Sequence, residues 1–294
     1  MHINKDFNRG VLLTSLGSFW WGFLGVIYFK YISFVGHIEV LIHRCIWTFF
    51  FLLITSIIFY RFDKIKIILS DKIKLFYLFF SGILIFINWG VWIYAVGNEQ
   101  IINASFGYFI MPILSVFFGQ IFFKEELTKK GKISILIVII SVLFLFISDI
   151  KSIPWVGLVV ALSWSVYNLI RKKIDVHTDI GLLIESLFLL PVVLIAFYFI
   201  FENNQNDFAF SNPGLSMLLI LAGPMTVIPL YLYVKGVKLC GLGATGMIFY
   251  ITPSLQFILG YLIYNEPLNI QKLVSFIFIW IAVFIYLRDL YEKI

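Results

Sequence analysis

Charge is scarce in this chain: only 13% of its 294 residues are Asp, Glu, Lys or Arg, about half the share of a soluble domain. The only polar stretch of any length is Glu202-Asn-Asn-Gln-Asn-Asp207, so no soluble domain fits anywhere. Cysteine is nearly missing. Cys45 and Cys240 have no CxxC and no histidine at ligand spacing, which argues against a disulfide framework or a thiol metal site; both read as small packing residues. Histidine is limited to His2, His37, His43 and His177. HExxH, GxSxG, a P-loop and GxGxxG are all lacking, and no paired Asp/Glu has catalytic spacing within an apolar run. Glu125-Glu126, beside Lys124, reads as a solvated helix end. The expectation is a protein that is not an enzyme, with no cofactor and no metal.

What is present is apolar. Hydrophobic residues make up 61% of the chain, with 33 Phe and 19% aromatics in all, and the mean hydropathy is +0.99. That composition rules out disorder and low complexity. The apolar runs are long enough to cross a bilayer, which takes about 20 helical residues. They predict an all-α polytopic membrane protein with ten spans, near 10–30, 38–60, 74–96, 101–123, 132–149, 154–171, 180–201, 215–235, 240–264 and 271–288. Arg61-Phe-Asp-Lys-Ile-Lys66 and the Lys-rich 124–132 read as breaks. The first run lacks a small-residue cleavage site, so it is expected to stay as a span.

The net charge of +6 is informative through its placement. With the N-terminus inside, 18 of the 22 Lys and Arg fall in cytoplasmic segments. Lys30, Lys151 and Lys272 fall outside, and Arg44 lies within the second span. The positive-inside rule therefore predicts cytoplasmic termini. Nucleic acid is not an expected partner.

At an offset of 141 the segment from Asn103 to Glu125 aligns with that from Ala244 to Glu266, matching Pro112 with Pro253, Leu114 with Leu255, Gly119 with Gly260 and Glu125 with Glu266. At 142, Leu41-Ile42-His43 aligns with Leu183-Ile184-Glu185. Five spans per half is an odd number, so the second half, 151–294, enters the membrane inverted relative to 1–150. Inverted repeats of this kind are common in secondary transporters, with the substrate site between the halves near mid-membrane. Ser105, Pro112 and Gly119 lie seven apart on one helix face, as do Gly246, Pro253 and Gly260. Such a stripe suits a tight packing seam, or a pair of bending helices around a cavity.

Charged side chains at bilayer depth cost about 2.5 kcal/mol or more each and need partners. Glu39 and His43 are one turn apart and can pair. Arg44 points about 100° away from them, either snorkelling or in an ion pair, or offering its fork to a substrate carboxylate or phosphate. Glu185 stands at the repeat position of His43, as a proton carrier, a substrate-amine partner or an acceptor for Arg171. Asn88, Trp89, Trp92, Tyr108, Asn168, Tyr250 and Gln256 complete a polar and aromatic set that suits an organic solute. Each alone also fits a packing or interfacial role.

These segments carry a family resemblance over nearly the whole chain. Ile42-His-Arg-Cys-Ile-Trp-Thr-Phe-Phe-Phe51, Asn88-Trp89, Ala104-Ser-Phe-Gly-Tyr-Phe-Ile-Met-Pro112, Arg171-Lys-Lys173, Gly181-Leu-Leu-Ile-Glu-Ser186, Tyr250-Ile-Thr-Pro253, Asn265-Glu-Pro267 and Phe278-Ile-Trp280 resemble the EamA/RarD-type branch of the drug/metabolite transporter superfamily. The resemblance implies a ten-helix bundle of two inverted repeats around a central cavity, working by alternating access. It implies a small solute that is amino acid-like, S-adenosylmethionine-like or drug-like, carried across a bacterial inner membrane by a monomer or weak homodimer. Proton coupling and facilitated diffusion both stay open. The alternative is a non-transporting membrane protein, either an intramembrane enzyme or a scaffold.

Overall fold

The computed structural model describes residues 2–97, 101–149, 155–203, 205–263 and 270–293, and these are almost entirely helical. The first run forms α1 (His2–Phe19), passes through a π-helical segment at Trp20–Gly25 and continues as α2 (Val26–Tyr31). Next come α3 (His37–Ile58), α4 (Phe62–Ser70), α5 (Lys72–Gly97), α6 (Ile101–Phe123) and α7 (Lys129–Asp149). The remaining helices are α8 (Trp155–Lys173), α9 (Thr178–Glu202), α10 (Pro213–Ile248), α11 (Ile251–Ile263) and α12 (Ile270–Lys293). The repeat-mate positions Asn265, Glu266 and Pro267, and the 150/151 boundary, lie outside the described residues.

Local chemistry sets the ends. Asp71 accepts the Ile73 and Lys74 N–H groups at 3.1 and 3.0 Å, capping the first turn of α5. Those bonds, the one from Lys74 first, hold its carboxyl below the usual range. Asn212 caps α10 through Leu215 N–H, with Pro213 at the first helical position, where its missing N–H is harmless. The stretch 61–66, read above as a break, mostly belongs to helix α4. Ile68 is buried against Leu78, Ile174, Val176 and Ile180, whereas Lys66 stays exposed. A short helix can thus end one span and still lie outside the next.

Six helices have the length and hydropathy of a membrane span, and one of them, Pro213–Gln256, is 44 residues long. Straight, it would measure about 66 Å, twice the ~30 Å hydrocarbon core. Gly241, at φ 90° and ψ 168°, breaks it, in a conformation that favours glycine. It therefore supplies the eighth and ninth crossings, and α6, α7 and α8 bring the total to ten. Cys240 ends the eighth crossing instead of starting the ninth. Both cysteines are free, and Cys45 is buried in the core.

The packing pattern has the symmetry of the repeat. Crossing 1 packs on crossing 8 (α1 on α10), and crossing 6 packs on crossing 3 (α8 on α5). Crossing 2 lies against 8 (α3 on α10), and 7 against 3 (α9 on α5). Crossing 1 meets 9 through the π segment and α11, as crossing 6 meets 4 through α8 and α6. Three of the five self-related pairs, 2 with 7, 4 with 9 and 5 with 10, are in contact. Exchanging each crossing with the one five further on thus reproduces these contacts, as a two-fold repeat of five helices requires.

The basic segments meet at one end of the bundle. Arg61 pairs with Asp179, Lys130 with Glu292 and Lys172 with Glu125, joining three inter-helix connections and the C-terminal helix. At the opposite end the Glu39 carboxylate accepts N–H groups from Asp207 and Phe208 at 2.9–3.0 Å.

Candidate functional site

A cavity of about 60 Å³ lies inside the bundle. Its walls come from both halves: Trp21, Gly25, Val26 and Phe29 on the first crossing, Arg44 on α3, Asn88, Trp89 and Trp92 on α5, and Tyr108 on α6. The second half adds Trp164 on α8, Phe249, and Thr252 and Gln256 on α11. Arg44 is seven residues beyond His37, the start of α3, about 10 Å along the helix, so the cavity sits well away from that end of the bundle. The space amounts to about two waters at the ~30 Å³ each takes in the liquid.

Two helical irregularities border it and pack against each other, with the Trp21 and Phe249 rings 6.2 Å apart. One is the π segment Trp20–Gly25, which supplies Trp21 and Gly25; such segments recur at functional sites. The other is the turn at Phe249–Tyr250 between α10 and α11, where Tyr250 N–H bonds Met247 O and Thr252 N–H bonds Phe249 O in three-residue steps. Both free the backbone from regular helix where it borders a cavity, the setting in which membrane interiors tolerate that.

Arg44 is 5% exposed. Its Nε donates to Thr226 Oγ1 at 2.9 Å, and its guanidinium lies 4.4 Å from the Trp89 ring centroid and 5.2 Å from that of Phe29. These contacts hold it inside the bundle, away from the lipid interface. Asn88 donates its amide hydrogens to Val160 O at 2.9 Å and Ser163 Oγ at 3.0 Å, which leaves its carbonyl oxygen as the polar group for the cavity. Aromatic rings close the side towards the basic end: Trp21 meets Trp164 at 5.1 Å, Trp164 meets Tyr233 at 5.6 Å and Tyr233 meets Phe249 at 5.4 Å.

Of the residues singled out from sequence, Arg44, Asn88, Trp89, Trp92, Tyr108 and Gln256 line this cavity. Four others lie elsewhere. His43 accepts from Trp47 Nε1 at 3.1 Å, stands 3.5 Å from Glu39 and stacks at 4.8 Å on Phe208, under the 205–212 connection. Glu185 accepts from Ser81 at 2.5 Å, Arg171 at 3.2 Å and Tyr167 at 3.3 Å. Asn168 is buried and donates to Trp164 O, and Tyr250 donates to Phe109 O at 2.8 Å, tying α6 to the 249–250 turn.

The two prolines are not equivalent. Pro112 sits in the middle of α6, whereas Pro253 is the third residue of α11, in a first turn whose N–H groups have no helical acceptor. A Cβ on Gly246 would lie 2.7 Å from Ser115 Cβ and 3.0 Å from Pro112 O. The seam between crossings 4 and 9 is therefore closely packed. No side-chain placement is described for Ser105.

Glu125 was expected to be solvated, but it accepts Leu242 and Gly243 N–H at 2.9 Å each and pairs with Lys172. It caps the helix that restarts after Gly241, so one carboxylate ties crossings 4, 6 and 9 at the basic end. Thr226, Trp21, Trp164 and Phe249 also escaped the sequence reading. The first is an ordinary threonine 182 positions from Arg44, and the aromatics carry no local mark in so aromatic a chain.

A two-fold bundle of ten membrane crossings around an internal, aromatic-walled polar cavity defines a polytopic transporter fold. The EamA-like transporter family matches residues 8–147 and again 151–288, and the chain belongs to that family. It is 35% identical to Protein RarD of Escherichia coli (strain K12), covering 97% of this chain and 96% of that one. It is 33% identical to the uncharacterized transporter YojE of Bacillus subtilis (strain 168), covering 96% and 95%. A solved crystal structure superposes with a TM-score of 0.71 at 12% identity, over 95% of this chain and 97% of the other, a likeness of fold alone. The chain is thus a multi-pass membrane transporter of the drug/metabolite superfamily, a family and a set of spans that fit a small solute and a lipid bilayer.

Proposed function

We propose that the protein is a secondary transporter of a small organic solute, working by alternating access through the cavity between repeats 1–150 and 151–294. The supporting observation is the cavity itself, whose walls combine Arg44, Asn88 and Tyr108 of the first half with Trp164, Thr252 and Gln256 of the second. At about 60 Å³ it is smaller than the roughly 300 Å³ or more of a ligand pocket. Loading a solute therefore requires the halves to move apart. Arg44, Asn88, Trp89, Trp92, Tyr108 and Gln256 form the binding surface in this reading. His43 and Glu185 belong to the packing that holds the two ends, and Pro112 and Pro253 to the helices that bend. The chemistry of the walls is that of binding, with no catalytic constellation in this reading.

The orientation proposed is termini-in across a bacterial inner membrane, so the Glu125–Lys172 ties close the cytoplasmic side and the Glu39–Asp207 contacts the outer side. The test is uptake and exchange in proteoliposomes against a panel of amino acids, S-adenosylmethionine and drug-like solutes, with and without an imposed pH gradient. Saturable movement of at least one class supports the proposal. A silent panel with folded, correctly inserted protein contradicts it.

A further inference from the structure

We propose that the cavity selects solutes bearing a carboxylate, with Arg44 as the residue that receives it; this rests on the cavity reading above and narrows its substrate class. Arg44 is the only charged residue in the described cavity wall, and no described carboxylate pairs with it. Glu39 is taken by the Asp207 and Phe208 amides, Glu185 by Arg171 and Glu125 by Lys172. A guanidinium carries five N–H donors in one plane. The Nε–H goes to Thr226 and Trp89 covers a face, which fixes the plane. No described protein group accepts from the two Nη atoms. Such a fork matches the two oxygens of a carboxylate.

The rest of the wall defines the body attached to that carboxylate. Trp89, Trp92, Tyr108 and Phe249 offer flat apolar surfaces, and the Asn88 carbonyl and Gln256 amide can hold one neutral polar group. Among the described lining residues an amine meets no anionic side chain, and it meets the Arg44 charge in a low-dielectric space, where like charges repel strongly. The expected solute is a small carboxylate with a planar or apolar body. Organic cations are expected to be disfavoured by Arg44.

Benzoate, benzamide and benzylamine share one skeleton and differ in charge, so they serve as probes. Calorimetric titration of the purified full-length protein should show benzoate binding at least about tenfold more tightly than benzamide, with no binding of benzylamine. Arg44→Lys keeps the charge and loses the fork, and should weaken benzoate about tenfold or more. Arg44→Ala should abolish the preference for benzoate over benzamide. Thr226→Val releases the guanidinium without removing it and should cost several-fold, which keeps the test decisive where an Arg44 variant fails to fold. Equal binding of benzamide or benzylamine, or a benzoate preference that survives Arg44→Ala, overturns the proposal and leaves the cavity reading intact. No binding of any of the three also overturns it. The cavity reading falls with it only if the proteoliposome panel is silent as well.

Discussion

Arg171 and Glu185 pair at 3.2 Å with side chains 0% and 3% exposed, and Arg171 also donates to Thr178 O at 3.1 Å. Removing one member of such a pair leaves a buried charge uncompensated, at a cost of about 3–5 kcal/mol. Glu185→Gln should therefore lower the melting temperature of the purified protein sharply. Glu185→Gln combined with Arg171→Met should recover much of that loss, since it removes both charges. A proton-carrying role would show differently, as lost pH-driven accumulation with stability unchanged. Arg44 is also buried, but Thr226 and two aromatic rings hold it in place of a carboxylate. Arg44→Ala should cost less stability than Glu185→Gln in the same thermal scan. A larger loss would mean that Arg44 is mainly a structural residue.

Among the helices, the breaks have the most consequence. The Gly241 break lets the long 213–256 run cross twice, and Glu125 holds its restart through two backbone N–H groups and Lys172. Gly241→Ala puts a Cβ on a residue at φ 90° and ψ 168°, at a strain of about 1–3 kcal/mol, and brings that Cβ to 2.8 Å from Glu125 Oε1. Lower stability with the same topology is expected. Glu125→Gln weakens a tie between crossings 4, 6 and 9, and should raise labelling of Cys240, already half-buried, by a membrane-permeant maleimide; unchanged labelling would remove Glu125 as a closure. Pro112→Ala restores an N–H in the middle of α6 and stiffens it. Slower transport by a folded protein is expected, with a smaller effect from Pro253→Ala because that proline already lies in a first turn. Equal, full rates in both would reduce the stripe to packing.

At the scale of the molecule, the ten crossings and the inverted repeat could be read from the sequence, because bilayer thickness sets run length and an odd repeat unit forces inversion. Pro112 with Pro253 and Gly119 with Gly260 marked the register. What could not be read depends on contacts distant in sequence. The π segment at Trp20–Gly25 lies against α11, and nothing in Trp-Trp-Gly-Phe-Leu-Gly alone dictates it. Glu125 looked solvated because the backbone N–H groups that donate to it, those of Leu242 and Gly243, lie more than a hundred residues on. His43 and Glu185 were legible as buried polar groups, but which neighbours they face was not. The orientation is testable on its own: a reporter fused after Ile294 should behave as cytoplasmic, and periplasmic activity there would reverse the assignment of the two ends.

The central claim is that solute passes through the cavity between the halves, and Gly25 gives direct access to it. This glycine lines the cavity, and a Cβ built on it meets nothing closer than Trp20 O at 3.5 Å, so a larger side chain can grow into the open space with little strain. Gly25→Phe should fill most of the roughly 60 Å³ and leave the helices in place. Exchange of a transported solute in proteoliposomes, compared between the wild-type protein and Gly25→Phe of matched thermal stability, is the measurement. Near-complete loss of exchange with the fold retained is the predicted result, and exchange at the wild-type rate through the filled cavity would contradict it.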